Sequence, residues 1–539
     1  MTDLAGTRVL VRLALRHDRV RLSVWILGLC LMLAGTAGGL VGGMTRDDLV
    51  QETEFSAGSP ALRMFGLASG ATSGGYTMLR NYLTLAVLAA VMSTLSMVRH
   101  TRNEEETGRS ELVGAAATGR HAIPAAALIV TFAANLVLAV LLGLTLIAAG
   151  EPAAGSFAAG ASVGAVGVVF AGVAAITAQL AASARQANGL AAAVLGLAFL
   201  LSGVGNLLGS VDASGARATS AWPAWLSPIG WGEQMRPFGD DHWWPLGLFA
   251  LLFVALVGLA GVLATRRDIG RGLLPERRGR AHASPGLLRP LGLVWRLQRG
   301  ALLGWMAGML AFGAIFGLIS DQVNDLEGGA REWYTRMGGT DQIEDAYLTS
   351  MISMAGMAVA IYVVQMLVRM RAEEAEGHLE SILAAAISRP RWVMSHVVNA
   401  GLGTVGLLLI FALSLGAGAG AVLGDTSGQL RAVTEASLVQ LPAILLIGGG
   451  AIAATGLLPR WAGALSWTIV TVSILLGPLF GATVQLPQWD QDLSPFTHIP
   501  KVPAAALTLT PIIVLIAISA ALAVAGLNSF RRRNLALPT

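Results

Sequence analysis

Charged residues are scarce in this sequence, and lysine is nearly absent. Of the 539 residues, 13% are charged and 54% are hydrophobic, whereas a soluble domain carries about 25% charged residues. This balance excludes an ordinary soluble protein and predicts a polytopic membrane protein. Lys501 is the one lysine, and it lies outside any Gly-x-x-x-x-Gly-Lys-[Ser/Thr] sequence. The chain therefore does not bind ATP through a phosphate loop of that type.

Other signatures of catalysis are missing as well. The single cysteine, Cys30, lies in the first predicted membrane span and excludes an intrachain disulfide. No spacing typical of metal ligands, no Gly-x-Ser-x-Gly turn and no pairing of cysteine with histidine occurs. The centres of the predicted spans contain no acidic residue, which disfavours an antiporter that moves protons through intramembrane carboxylates. A membrane-embedded transferase or scaffold would need a polar catalytic cluster at the membrane surface, and the sequence offers no convincing one.

Long apolar runs make up most of the chain, and crossing about 30 Å of hydrocarbon takes about 20 residues. Twelve runs meet that length: 22–42, 78–98, 122–149, 157–182, 188–209, 245–265, 301–320, 348–368, 393–423, 437–458, 461–482 and 504–528. The predicted fold is an all-α polytopic membrane protein with twelve transmembrane helices as two parallel six-helix pseudo-repeats. The predicted domains are a first permease half (1–268), a cytoplasmic basic linker (269–299) and a second permease half (300–539).

Polar residues inside these spans are few: Asn135, Gln179, Asn206, Gln365 and Gln440. We interpret them as groups that form hydrogen bonds between helices, with the lining of a substrate path as the alternative.

A short acidic stretch occurs twice, 269 residues apart, between the second and third predicted spans of each half. The first copy contains Glu104, Glu105, Gly108, Glu111 and Arg120, and the second contains Glu373, Glu374, Gly377, Glu380 and Arg389. Each copy also carries three alanines, at 115–117 and 384–386. On a helix, the first glutamate, the glycine and the last glutamate of each copy share one face, where the glycine lets another backbone approach closely. Such a face suits docking. The alternative is a solvated polar loop, which the duplication disfavours.

Arginine placement predicts the orientation. With both termini inside, the inner segments hold 27 of the 36 basic residues, and 20 of the 32 acidic residues lie outside. An excess of arginine in short cytoplasmic loops is typical of membrane proteins, so the termini and both acidic stretches are predicted to be cytoplasmic. The linker, with Arg277, Arg278, Gly279 and Arg280, is interpreted as a tether near anionic lipid rather than a nucleic-acid site.

The first 21 residues place five arginines among apolar residues: Arg8, Arg12, Arg16, Arg19 and Arg21. This pattern predicts a basic amphipathic helix that lies on the cytoplasmic membrane surface before the first span. A cleaved signal peptide is the alternative, since residues 34–37 resemble a cleavage site. The unusual length of the basic region disfavours it.

Several of these features together resemble ABC-2 type exporter permeases, in particular the fused permeases of actinobacterial exporters of polyketide antibiotics. They are the two Glu-Glu-x-x-Gly cores that run to Gly108 and Gly377, the six-plus-six plan, the basic entry helix, and Leu-Ser-Pro-Ile-Gly-Trp (226–231) beside Leu-Ser-Pro-Phe-Thr-His (493–498). The resemblance covers nearly the whole chain. It implies that the chain has no ATPase domain and that a separate ATPase subunit, as a dimer, docks on the loop between the second and third spans of each half.

Carried over, the glutamates and arginines of the two acidic stretches would form or support two coupling helices. The second copy departs from the first, with Ala375 in place of Glu106 and His378 in place of Arg109, which leaves open whether the two docking sites are equivalent.

The resulting hypothesis is the membrane permease of an ATP-driven exporter of lipophilic drugs or polyketide antibiotics in the plasma membrane. This chain itself is expected to be neither an enzyme nor a binder of ATP or Mg²⁺, and its partners are expected to be the ATPase subunit, membrane lipid and the substrate. The alternative is a secondary efflux transporter driven by an ion gradient.

Overall fold

The computed structural model describes residues 3–534 except for 115–117, 269, 275–281, 283, 326–330, 332–333, 336–337, 341, 386, 479–486, 503 and 506. The chain forms two compact units, Met1–Gly279 and Arg280–Thr539. The arginine-rich centre of the predicted linker (277–280), the first trio of alanines and Ala386 lie outside the described residues.

The first unit is helical except for one small antiparallel sheet, in which β1 (Ser210–Val211) pairs with β2 (Ala218–Thr219). Its helices are α1 (Thr7–Ala34), α2 (Arg46–Gly58), α3 (Pro60–Arg63), α4 (Ser73–Val98), α5 (Glu104–Glu106), α6 (Arg109–Gly114), α7 (Ala122–Ala148), α8 (Ala153–Leu180), α9 (Ala184–Leu207), α10 (Pro228–Glu233) and α11 (Pro245–Thr265).

The second unit is also built from helices. They are α12 (Pro290–Leu318), α13 (Ile343–Ala375), α14 (His378–Ala384), α15 (Arg389–Leu423), α16 (Thr426–Leu438), α17 (Leu441–Leu457), α18 (Ala462–Leu475), α19 (Gln488–Gln491) and α20 (Leu509–Arg532). Helix α12 begins inside the predicted linker, because Pro290 takes the first helical position, where proline fits.

Eleven helical segments among the described residues are long and apolar enough to cross a membrane. The prediction of an all-α multi-pass membrane protein is therefore confirmed, while the count of twelve and the repeat arrangement stay predictions. The segment predicted to span at 461–482 contains α18, which has 14 residues and is about 21 Å long at 1.5 Å per residue. Gly477 and Pro478 follow it, and proline cannot continue a helix.

The entry segment differs from its prediction. Instead of a separate surface helix, α1 continues without a break from Thr7 into the first span. Its backbone hydrogen bonds run through the basic region, so no turn separates the arginines from the apolar stretch. The arginines at 8, 12, 16 and 19 stay exposed, as expected for a helix that enters a membrane from a charged surface.

Small and polar side chains bring helices together within each unit. A Cβ at Gly160 of α8 would collide with the Ala139 carbonyl oxygen of α7, so only glycine permits this approach. Asn135 of α7 donates to the Ser93 hydroxyl of α4 at 2.7 Å. Gln365 of α13 likewise accepts from the Trp305 indole of α12 at 2.9 Å. The interpretation of these polar residues as interhelical bonding groups is confirmed at both positions.

The two units share one pattern of burial. The helix that precedes each acidic stretch is mostly buried: 72% of the most apolar part of α4 and 67% of that of α13 lie inside the protein. In the last helices, α11 and α20, the buried share is 11%. Each acidic stretch therefore starts from a central helix, and the last helix of its unit is peripheral.

Candidate functional site

The first acidic stretch is a tight turn and not one continuous helix. After α4 the chain forms a π-helical turn, Arg99–Asn103, and then the short helix α5. Gly108 has φ of +71°, a conformation that costs a residue with a Cβ about 1–2 kcal/mol. A Cβ at Gly108 would meet nothing within 4 Å. No other backbone among the described residues of this chain approaches Gly108, so the close approach of a partner stays a prediction, and the positive φ by itself accounts for a glycine at this turn.

The second stretch turns at the matching place. Helix α13 runs on to Ala375, and Gly377, with φ of +76°, precedes α14. The prediction of one helix carrying Glu373, Gly377 and Glu380 on a single face is wrong, since a left-handed residue ends the helix.

Glu105 is clamped to the end of the last helix of its unit. The Arg267 guanidinium donates from both terminal nitrogens, at 2.5 Å and 2.8 Å to the two carboxylate oxygens. Arg102 adds a third bond at 2.6 Å, and Gln179 accepts from Arg267 Nε at 2.5 Å. The Glu105 side chain is only 13% exposed. A bidentate, charge-assisted pair of this kind is strong and fixes geometry as well as charge.

Glu374 makes the same clamp in the second unit. Arg533, just past α20, donates at 2.6 Å and 2.7 Å to its two oxygens, and the guanidinium lies 4.7 Å above the Phe530 ring. The Glu374 side chain is 1% exposed. Two of the six predicted docking glutamates, Glu105 and Glu374, are thus turned inward and ion-paired within the chain.

Arg120 and Arg389 form a second clamp on the same helices. Arg120 donates to the carbonyl oxygens of Ala264 and Thr265 at 3.3 Å and 3.5 Å. Arg389 donates to that of Arg533 at 2.6 Å. The last carbonyls of a helix have no partner within it and carry partial negative charge, so an arginine there satisfies and stabilises the helix end. Each acidic stretch is therefore held to the last helix of its unit from both sides.

Beyond these clamps, an exposed acidic surface remains. In the first unit it comprises Glu106 and Glu111 with the partly exposed Glu104, and in the second it comprises Glu376 and Glu380. We call these residues the first and second acidic surfaces.

Glu104 and Glu373, which occupy the same place in the repeat, have different surroundings. The Glu104 side chain is 32% exposed and lies 3.8 Å from His100. Glu373 is buried, 3.4 Å from His396 and 3.5 Å from Arg369. The two copies are thus unequal in the charge they present.

Sequence reasoning missed Arg102, Arg267 and Arg533 as parts of the site. A signal existed, because both halves end alike, with Arg266-Arg267 after the sixth predicted span and Arg532-Arg533 after the twelfth. It could not be paired with the glutamates without the fold, since about 160 residues separate the partners.

Two similarities to known proteins accompany this geometry. The family model described as "Multidrug efflux system permease Rv1217c, C-terminal domain" matches residues 9–266 and 287–531. The multidrug efflux system permease protein Rv1217c of Mycobacterium tuberculosis is 37% identical over 535 residues, which cover 98% of this chain and 95% of that protein. Both matches include both acidic stretches and extend over both units.

Proposed function

The chain belongs to the multidrug efflux permease family, and from this premise we propose that it is the membrane subunit of an ATP-driven ABC-2 type exporter powered by a separate ATPase subunit. The resemblance to exporter permeases read from the sequence is confirmed at the level of this family. The energy source, the partner and the substrate class are the proposal: ATP and Mg²⁺ are bound by a partner dimer, and lipophilic drugs or polyketide antibiotics are moved out of the cell.

The double clamp on each acidic stretch is the observation that carries the proposal. A solvated loop that only connects two spans has no need of a bidentate ion pair and a capping arginine. These contacts hold a charged surface rigidly against the peripheral helix of its unit. A partner that pushes on such a surface moves the clamped helix with it, because the clamps resist separation.

The proposed roles divide nine of the ten predicted site residues into three groups; the tenth, Glu373, is buried beside His396. The acidic surfaces, including Glu104, Glu111 and Glu380, dock on a basic face of the ATPase. The remaining residues, Glu105, Arg120, Glu374 and Arg389, transmit the movement to α11 and α20, and Gly108 and Gly377 shape the turns. Both termini and both acidic surfaces face the cytoplasm in this proposal, where a nucleotide-hydrolysing partner has access to ATP.

One observation favours the alternative of an ion-gradient-driven transporter. Glu233 is a buried carboxylic acid among span residues, and buried acids can carry protons. Depletion of ATP with the proton gradient maintained separates the two: efflux should stop if ATP drives transport. Efflux that survives ATP depletion and stops when the gradient collapses would establish the alternative.

The docking proposal is tested with two matched pairs of substitutions, Glu104→Gln with Glu111→Gln and Glu376→Gln with Glu380→Gln. If each exposed carboxylate contributes about 0.5 kcal/mol to docking, each pair lowers recovery of a co-purifying ATPase about fivefold. Glu435→Gln, an exposed glutamate of α16, is the control and should leave recovery unchanged. Full recovery with all four substitutions combined would refute docking on these surfaces.

The purified chain without its partner should show no ATP hydrolysis above a detergent blank, because its one lysine lies outside a phosphate loop. Sustained hydrolysis by the isolated chain would contradict a separate ATPase.

A further inference from the structure

Glu233 ends the short helix α10, at the opposite end of the first unit from the acidic stretch. Helix α9 connects the two places. Its first backbone N–H, at Ala184, donates to Glu106, and its last turn reaches Glu233 through Asn206. The 24 residues of α9 are about 36 Å long at 1.5 Å per residue.

The Glu233 carboxylate is buried and has neutral hydrogen-bond donors. The residue is 5% exposed. Its Oε2 accepts from the Ser202 hydroxyl at 2.7 Å and from the Asn206 amide at 2.9 Å. Within the described residues no arginine, lysine or histidine forms an ion pair with it. A buried carboxylate without a cation carries a large desolvation cost, which protonation removes.

The elements packed against α10 supply no compensating charge. Helices α8 and α11 and the turn Trp222–Leu226 contain no ionisable side chain, and α9 contains only Arg185, at its far end. Helix α4 contributes Tyr82, whose hydroxyl donates to the Ile229 carbonyl, besides Tyr76 and Arg80 near Glu52. Three residues along the chain, Arg236 faces Asp240 at 3.7 Å.

The polar network around Glu233 continues without charge. Asn206 Oδ1 accepts from the Ser220 hydroxyl at 2.6 Å, and the Gln234 amide donates to the Ser220 oxygen at 2.9 Å. Hydroxyl and amide groups of this kind can rearrange when a carboxylate gains a proton. Burial raises the pKa of Glu233 to about 7, and the bonds from Asn206 and Ser202 act in the opposite direction.

We propose that Glu233 is a proton-binding site, and that its protonation keeps α10 seated against α8 and α9 at this end of the first unit. When the proton leaves, the charged carboxylate must be hydrated, and the packing of α10 against α8 and α9 therefore weakens. The proposal concerns control of the permease and not its energy source, since Asp18, the other buried acid among the described residues of the first unit, is ion-paired beside the acidic stretch at the opposite end.

The second unit anchors the corresponding chain segment in the same way but lacks the acid. Ser227 donates to the Ala198 carbonyl of α9 at 2.7 Å, and Ser494 donates to the Ser473 carbonyl of α18 at 2.6 Å. Six residues after each serine stand Glu233 in the first unit and Pro500 in the second. The anchoring is therefore common to both units, and the proton site belongs to the first unit alone.

The first test uses the purified full chain in detergent and needs no partner. Glu233→Gln keeps an oxygen acceptor for Ser202 and Asn206 but has no charge. Its thermal unfolding midpoint should match the wild type at about pH 4, below the ordinary pKa of a glutamate, and exceed it by a few degrees at about pH 8, because the wild type loses stability as the pH rises from the unfolded-state pKa through the raised folded-state pKa. Ser202→Ala removes a donor to the charged form, so it should move the midpoint of this pH dependence upward.

Glu151→Gln is the matched control. Glu151 accepts from Ser73 at 2.6 Å near the same end of the unit and is only partly buried, so this variant should keep the wild-type pH dependence. Wild-type and Glu233→Gln curves that run parallel from about pH 4 to about pH 8 would overturn the proton site.

The second test measures ethidium efflux from cells with the internal pH clamped and the external pH varied. Wild-type efflux should be several-fold faster at about pH 8 than at about pH 6, whereas Glu233→Gln should be slow and equal at both. A Glu233→Gln variant with the wild-type pH response would overturn control by this residue. The unfolding test stands whether or not an ATPase drives transport, so failure of the proposed energy source would not be mistaken for failure of this site.

Discussion

The two units hold their acidic stretches with the same contacts and surround them with different charges. In both, a glutamate pairs with an arginine just beyond the last helix, and a second arginine caps the carbonyls of that helix. The two units share the arginine contacts that hold the stretch, and they differ in the charge that the stretch exposes. The shared arginine contacts therefore identify the structural support of each acidic stretch, and the differences in charge indicate where the two units can act unequally.

The two units differ most in the contacts that the first helix of each unit makes beside the acidic stretch. In the first unit, Asp18 of α1 is 1% exposed and pairs with Arg99 at 2.7 Å and with His100 at 2.5 Å. In the second unit, Gln298 of α12 accepts from the Asn399 amide at 2.6 Å and lies 3.3 Å from His396. The histidine thus contacts an aspartate of the first helix in one unit and a glutamine of the first helix in the other, where its carboxylate neighbour is Glu373 of the acidic stretch.

The largest effect is expected when the two clamps are broken. Arg533→Ala removes the bidentate partner of the buried Glu374, whose other ion pair, with Arg371, is longer at 3.5 Å, and should cost about 3–5 kcal/mol of stability. Arg267→Ala should cost less, about 1–3 kcal/mol, because Glu105 keeps Arg102 and is partly exposed. Thermal or denaturant unfolding of the purified variants measures both.

The exposed Arg532→Ala serves as the control for the clamp variants and should be nearly neutral. Adding Glu374→Gln to Arg533→Ala should recover much of the loss, because it removes the buried charge that has lost its bidentate partner. Equal losses for the two clamp variants, or no recovery in the double variant, would contradict the assignment of Glu374 as the more deeply buried partner.

A smaller loss of stability is expected when the contacts of Asp18 in the first unit and of Gln298 in the second unit are removed. Asp18→Asn leaves Arg99 and the buried His100 without their carboxylate and should cost about 2–4 kcal/mol. Gln298→Met leaves the Asn399 amide unsatisfied and should cost about 1–2 kcal/mol. The unfolding midpoints of the two variants are compared with that of the control Arg12→Gln, a substitution at an exposed arginine. A larger loss for Gln298→Met than for Asp18→Asn would contradict the expected order.

The smallest effect concerns the turns that the units share. Gly108→Ala and Gly377→Ala both place a Cβ on a residue with positive φ, and each should cost about 1 kcal/mol. Gly108→Asn should cost less, since asparagine tolerates this conformation. Clearly unequal losses for the two alanine variants would contradict the prediction that both turns need glycine for the same reason.

Sequence reasoning selected the residues of the two acidic stretches but did not show which of them are buried and paired. The repeat at a fixed offset identified Glu105 and Arg120 in the first unit and Glu374 and Arg389 in the second, and each pair lies at the end of the last helix of its own unit. Their inward orientation could not be read from spacing, because their partners, arginines for the glutamates and backbone carbonyls for the arginines, lie about 140 to 160 residues away. Glu233 was missed for a related reason: its neighbours along the chain suggest an exposed loop, and only folding buries it.

The sequence by itself determined that this chain is an all-α membrane protein with two similar acidic stretches, because apolar length, arginine placement and repetition are local properties of the chain. The tertiary structure alone decided which charges are buried, which are paired and which remain exposed. That division depends on contacts between segments far apart in sequence, and the free energy of a charge is set by those contacts and not by its neighbours along the chain.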